Sequence, residues 1–450
     1  MFKRSTLQNS TLCATATLAA LLVCTAAVAQ QAAQFRGDAA HSGVTEAAAP
    51  AAINHLLWKF QTGAGVYSSP VVADGVVFVG SNDHDLHALD AHKGSELWKF
   101  KTGASISSTP AVAGGVLYFL SLDGYAYAVD AHAGTLKWKF ETGGESRLNA
   151  AGLYGIAPSA EVIPDPWDFY ISSPTVVDGS VYFGSGDHNI YALDAETGKL
   201  QWKMKAGDGV HSSPAVAGGV LYIGCWDGGL YALDAKTGQL RWKFSTGVDS
   251  SHFMQGIPGS AAVSAGVVVF GSRDNNIYAL DAVTGKQIWK LDNQGSWVIA
   301  SPAIKDGVVY ITTSDTMKMR VLDLKTGQSA FEVTYKAYGF SSPTIAARHA
   351  YFGTFDGYVF DVNLAERKIT SQFRVQASID HQDLLMPDGH LNNNAVFGPI
   401  LPDGQPNNTI DATIVGIDRL LKLGSILATP SVANGVVYAA SADGAVYALD

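Results

Sequence analysis

The chain has 450 residues, 47% of them hydrophobic, and a formal charge of −10. That length and apolar content support a large folded core and exclude a disordered acidic chain. The charge becomes −12 once Lys3 and Arg4 are removed, and no basic run offsets it, so a nucleic-acid partner is excluded.

Residues 1–29 read as a cleavable secretory signal. Lys3 and Arg4 precede an apolar stretch from Leu12 to Val23, and Ala27-Val28-Ala29 offers a small-residue cleavage site. Cleavage there is favoured over lipidation at Cys24, because Val23 is a poor fit to the small residue expected before a lipidated cysteine. A periplasmic location follows. Cys225 is the one cysteine outside this leader, so no intramolecular disulfide is expected. No later apolar run is long enough to span a bilayer. Residues 30–55, rich in Ala and Gln, read as an irregular lead-in.

Residues 56–450 repeat one frame, Ala-x-Asp-x-x-x-Gly-x-x-x-Trp. Gly94 with Trp98 marks the first clean copy. Gly134 with Trp138, Gly198 with Trp202, Gly238 with Trp242, and Gly285 with Trp289 follow, and Gly327 with Phe331 closes a substituted sixth. Each unit runs from Ser-Ser-Pro through apolar alternation, a Gly turn, an Asp-Gly tip and Tyr-Ala-Leu-Asp to Trp-Lys-Phe. Short strands joined by tight hairpins at a period of 40 or 41 residues are the blades of a propeller. Pro70, Pro110, Pro174, Pro214, Ala261, Pro302, Pro343 and Pro430 hold one place in eight units. The last unit ends at Asp450 without its fourth strand, while Trp58 lies in an orphan fourth strand. The expectation is an all-β, eight-bladed propeller of four-stranded antiparallel blades, closed by the N-terminal strand.

The repeated residues carry packing rather than catalysis. Gly94 and its counterparts let an aromatic ring approach the backbone. The Trp rings bury area between blades and can donate a hydrogen bond. The repeated Asp residues cap turns. Function is sought where the repeat is broken, in insertions near 144–171, 248–260 and 376–427, all expected on one face. Glu145, Arg147, Asp168, Asp249 and Asn275 are the candidates there for holding a cofactor. Trp167, Tyr170, Phe253 and Leu384 are the candidate anchors for a protein or peptide. Asp380, His381, Asp383, Asp388 and His390 lack a metal-binding frame and read as solvated loop polarity.

This repeat resembles the pyrroloquinoline-quinone (PQQ) type propeller over nearly all of residues 56–450. One branch of that family, the quinoprotein alcohol dehydrogenases, implies a quinone and a calcium ion held over the ring centre. Another is similar to BamB, an assembly factor for outer-membrane β-barrels. Many of the dehydrogenases carry a disulfide of adjacent cysteines beside the cofactor, which Cys225 alone does not supply. The expected function is therefore a non-catalytic periplasmic binding or assembly scaffold acting through its loop face. The alternative is a PQQ- and calcium-dependent dehydrogenase. No metal site is assigned.

Overall fold

The computed structural model describes Met1 and residues 33–151, 162–248, 255–399 and 409–450. The expected signal sequence lies outside them, as do Asp249 and Phe253. The chain divides into residues 1–30 and Gln31–Asp450, and the second unit is the subject here.

Eight antiparallel sheets form the blades, spanning residues 71–101, 111–141, 175–205, 215–245, 262–292, 303–334, 344–374 and 431–449. The eighth is completed from the other end of the chain. Leu56–Gln61 pairs with Ala445–Leu449, setting Trp58 opposite Ala448. The backbones of His55 and Asp450 exchange two further hydrogen bonds, of 2.9 and 3.1 Å. The ring thus has no open seam.

The burial of each strand follows its place in the blade. Second strands such as Val220–Gly224 are buried on both faces, between neighbouring blades. Fourth strands such as Leu240–Ser245 are the outer edges and alternate between exposed and half-buried positions. The hairpins between first and second strands use two residues of positive φ, for example Asp306 (+50°) and Gly307 (+78°). That is the primed turn whose twist matches antiparallel strands.

The Trp residues tie six of the eight blades to the next. A Cβ on Gly238, whose φ is +70°, would lie 2.6 Å from the Trp202 ring. The indole of Trp202 donates to the Ala235 carbonyl at 2.9 Å. Trp58 meets Gly94 and Ala91, Trp138 meets Gly198 and Ala195, and Trp242 meets Gly285 and Ala282 in the same way. Trp98 packs on Gly134, and Trp289 on Gly327.

A second ring surrounds the axis. The backbone N–H of Ser173 donates to the Ser213 hydroxyl, that of Ser213 to Ser260, and that of Ser260 to Ser301, each at 2.9 Å. Ser301 continues to Ser342, Thr429 to Ser69, Ser69 to Thr109 and Thr109 to Ser173. The second hydroxyl of each Ser-Ser-Pro is therefore an inter-blade link.

The lead-in lies inside this ring. Its carbonyls at Ala33, Ala39, Ala40, Ser42 and Gly43 accept from the first strands of blades 2, 4, 5, 6 and 7, and Val44–Thr45 pairs in parallel with Thr344–Ala346. The Gln34 side chain accepts from Val176 of blade 3. Arg36 is buried and donates to the carbonyls of Pro343 (2.8 Å) and Pro302 (2.9 Å). Regular secondary structure is nearly absent from the segment because its backbone partners belong to the blades.

Candidate functional site

At the opposite end of the axis, two insertions cover the channel. The first supplies Trp167 and Phe169. The third folds into helices α1 (Gln376–Asp380), α2 (Asn393–Phe397) and α3 (Ile410–Lys422) and supplies Leu384, Val396, Ile417 and Leu420. These side chains pack with Phe340 and Phe355 from the ring, and with Leu427 at the end of the third insertion, into one apolar cap. Asn392 and Thr409 cap α2 and α3 by accepting backbone N–H bonds. The Tyr170 hydroxyl donates to the Leu427 carbonyl at 3.0 Å, joining the insertions.

Two buried polar clusters fasten the first insertion to the blades beneath it. In one, Asp168 Oδ1 lies 2.9 Å from His211 Nδ1 and Asp168 Oδ2 accepts from the Leu148 N–H at 2.8 Å. His211 Nε2 lies 3.7 Å from Glu145 Oε2, which accepts from the Gly186 N–H at 2.8 Å. Burial lifts the Glu145 carboxyl to about 7, although His211 pulls the other way. Burial also disfavours the charged form of His211, but Asp168 and Glu145 outweigh it and raise the imidazole to about 9. In the other cluster, Arg273 and Asp165 form an ion pair with no side-chain exposure. The Arg273 guanidinium stacks between Trp226 (4.5 Å) and Trp297 (4.7 Å). Burial raises the Asp165 carboxyl and Arg273 lowers it.

The candidate residues are thus only partly brought together. Glu145 and Asp168 meet around His211. Arg147 is exposed at the rim, beside a void of about 60 Å³ that Asp168 and His211 also line. Asn275 occupies the tip of a blade-5 hairpin at φ +67°. Trp167 and Leu384 are corrected as partner anchors. They are 9% and 6% exposed, because they form the protein's own cap. Tyr170 is half-buried beside them. His390 pairs only with Asp388 (3.1 Å), on the surface. His211, Arg273 and Trp226 join the site from the blades. His211 stands at the channel end of Gly-Val-His-Ser-Ser-Pro, where a histidine among the ring hydroxyls was a readable signal.

A fused tricyclic quinone with calcium does not fit these residues. Between Phe35 and the cap, the axis keeps a cavity of about 40 Å³, lined by Tyr170, Phe340 and Leu427 as well as ring hydroxyls. Ligand sites of drug size run to roughly 300–1,000 Å³. The carboxylates Glu145, Asp165 and Asp168 already bind Gly186, Arg273, Leu148 and His211.

A family model described as outer membrane protein assembly factor BamB matches residues 46–163, 167–257 and 227–383. No curated protein matches the chain in sequence. Among solved structures, BamB from Moraxella catarrhalis is 16% identical with a TM-score of 0.60, over 88% of this chain and 98% of that one. A europium-containing methanol dehydrogenase is 15% identical (TM-score 0.63, 92% and 98% covered). Quinohemoprotein alcohol dehydrogenase from Comamonas testosteroni is 14% identical (TM-score 0.64, 92% and 80% covered). At these identities the structures share a fold, and a fold does not fix an activity.

Proposed function

The chain belongs to the outer membrane protein assembly factor BamB family, and from that premise we propose that it is a non-catalytic binding or assembly scaffold of the cell envelope. The observation that carries this reading is the filled axis. The place where the enzyme branch would seat its quinone holds Phe169, Phe340, Phe355 and Leu427. A cleavable leader at residues 1–29, as the sequence suggests, would direct the chain to the periplasm, and no described helix is long and apolar enough to cross a membrane.

The partner, an envelope protein or peptide, would be met on the insertions. Val162, Val248, Ile379, Met386, Ile414 and Val415 are exposed there by 40–61%. Exposed apolar groups on loops over a rigid ring are available as binding anchors. The test replaces Met386, Ile414 and Val415 with Asp and compares capture of envelope proteins with the unaltered chain. Loss of a specific partner from the triple variant supports the scaffold. Partner profiles that are identical between the two proteins, or saturable calcium-dependent binding of PQQ, would overturn it.

A further inference from the structure

Blade 1 departs from the repeat at three positions that meet in space. In blades 2, 3, 4, 5 and 8, the third strand carries Tyr127, Tyr191, Tyr231, Tyr278 or Tyr447. Each hydroxyl donates to the Asp at the preceding tip, over 2.5–3.1 Å. In blade 1 that place belongs to His87. Two residues earlier stands Asp85, where those blades have Tyr125, Asn189, Gly229, Asn276 or Ala445. On the neighbouring strand stands Glu96, where Trp138, Trp202 and Trp242 are each preceded two places earlier by Leu. Blades 6 and 7 carry Arg320 and Phe360 in the Tyr column, and none of the other seven blades carries His, Asp or Glu at the three positions.

Glu96 Oε1 lies 2.6 Å from His87 Nδ1, and Asp83 Oδ2 lies 3.1 Å from His87 Nε2. Both ring nitrogens of His87 therefore face a carboxylate, Glu96 on the Nδ1 side and Asp83 on the Nε2 side. Asp85 is 5% exposed, and its Oδ1 has no hydrogen-bond partner. Its Oδ2 accepts from Lys99 at 2.8 Å, while Lys101 stands 3.8 Å from Oδ1. One ligand atom each from Asp83, Asp85 and His87 lie within 4.8 Å of one another.

We propose that Asp83, Asp85 and His87 bind a divalent cation of the zinc class, with Glu96 orienting His87 as a positioning residue. One imidazole and two carboxylates are borderline-to-hard donors that suit Zn²⁺ at roughly 2.0–2.2 Å, with a fourth position left to water. Lys99 and Lys101 reach in from side chains that are 53% and 70% exposed, so both can withdraw to solvent. The ion would sit at the ring closure. Asp83 Oδ2 accepts from Gly63 at 2.8 Å, just after the strand that completes blade 8, and the rings of Phe60 and His87 are 5.5 Å apart.

The experiment uses the full mature chain, untagged and stripped with chelator. Zn²⁺ is titrated by calorimetry, Co²⁺ is followed by visible absorbance, and Tm is measured with and without Zn²⁺. About one equivalent of Zn²⁺ per chain should bind and raise Tm, because a ligand of the folded state stabilises it. His87→Tyr restores the residue of the other blades and should fold while losing binding. Asp85→Asn should weaken binding as a second test of the same cluster. Glu96→Gln should weaken it roughly 10- to 100-fold. Absence of saturable binding to the unaltered chain, or binding unchanged in both His87→Tyr and Asp85→Asn, would overturn the proposal.

Discussion

Replacing Asp165 with Asn tests whether the buried ion pair holds the cap down. The change keeps the shape and the oxygen that accepts from the Trp167 N–H at 3.0 Å, and it removes the charge opposite Arg273. Breaking a fully buried pair costs about 3–5 kcal/mol, since Asp165 no longer offsets the Arg273 charge. Arg273 keeps its stacking on Trp226 and Trp297, which places the expected cost near the lower limit, about 3 kcal/mol. If that cost falls on the first insertion, its opening equilibrium rises roughly 100-fold, at about 1.4 kcal/mol per factor of ten. Hydrogen exchange reads this directly. The amides of Leu148, Asp165 and Phe169, all hydrogen-bonded in the closed form, should lose about two decades of protection. The outer strand of blade 3, Leu200–Lys205, should not change. Protection at the three amides that stays within roughly threefold would refute the ion pair as the latch.

Four further outcomes follow from the same geometry. Gly238→Ala meets both a positive φ and the Trp202 ring, whereas Gly266→Ala meets a φ of +77° with nothing within 4 Å. The first should destabilise by about 1–3 kcal/mol more than the second in chemical unfolding, and equal losses would deny the Trp contact its role. Arg36→Met removes two donors from the Pro302 and Pro343 carbonyls. It should cost about 1–3 kcal/mol and speed proteolysis of the lead-in, and an unchanged digestion pattern would argue against the plug. Both raised pKa values act in one direction on pH dependence. The folded protein holds its His211 proton up to about 9 against an ordinary 6.5, and its Glu145 proton up to about 7 against 4.5. The folded state therefore binds more protons than the unfolded one, and stability falls as pH rises, from 4.5 to 7 through Glu145 and from 6.5 to 9 through His211. His211→Gln should flatten the upper part of that profile in melting measurements; an unaltered slope would rule His211 out as its source.

The ring was legible because its physics is local and repeated. Gly94, Asp90 and Trp98 announce a turn, its cap and the strand after it within nine residues, and recurrence every 40 residues supplies the architecture. The lead-in was illegible for the opposite reason. Ala39, Ala40 and Ser42 have no pattern of their own, and their carbonyls find partners only on three different blades. Trp167 and Leu384 likewise looked like anchors for another protein. They meet only when insertions more than 200 residues apart fold onto the same mouth. Exposure of a large apolar residue in a loop is a tertiary property, and periodicity carries no information about it.

Within a repeat, however, each column of equivalent residues is a set of measurements of what the fold needs. The Tyr column at positions 127, 191, 231, 278 and 447 fixes that need as a hydroxyl reaching an Asp. His87 meets it with one nitrogen and leaves a second nitrogen held by Glu96, which no packing rule of the ring explains. His211 stands next to Ser212 at the channel mouth, where Asp168 reaches across from an insertion to meet it. Each histidine thus sits between two carboxylates, Glu96 and Asp83 for His87 and Asp168 and Glu145 for His211. In so regular a ring, those are the positions at which the loop face and the ring closure depend on paired charge rather than on packing.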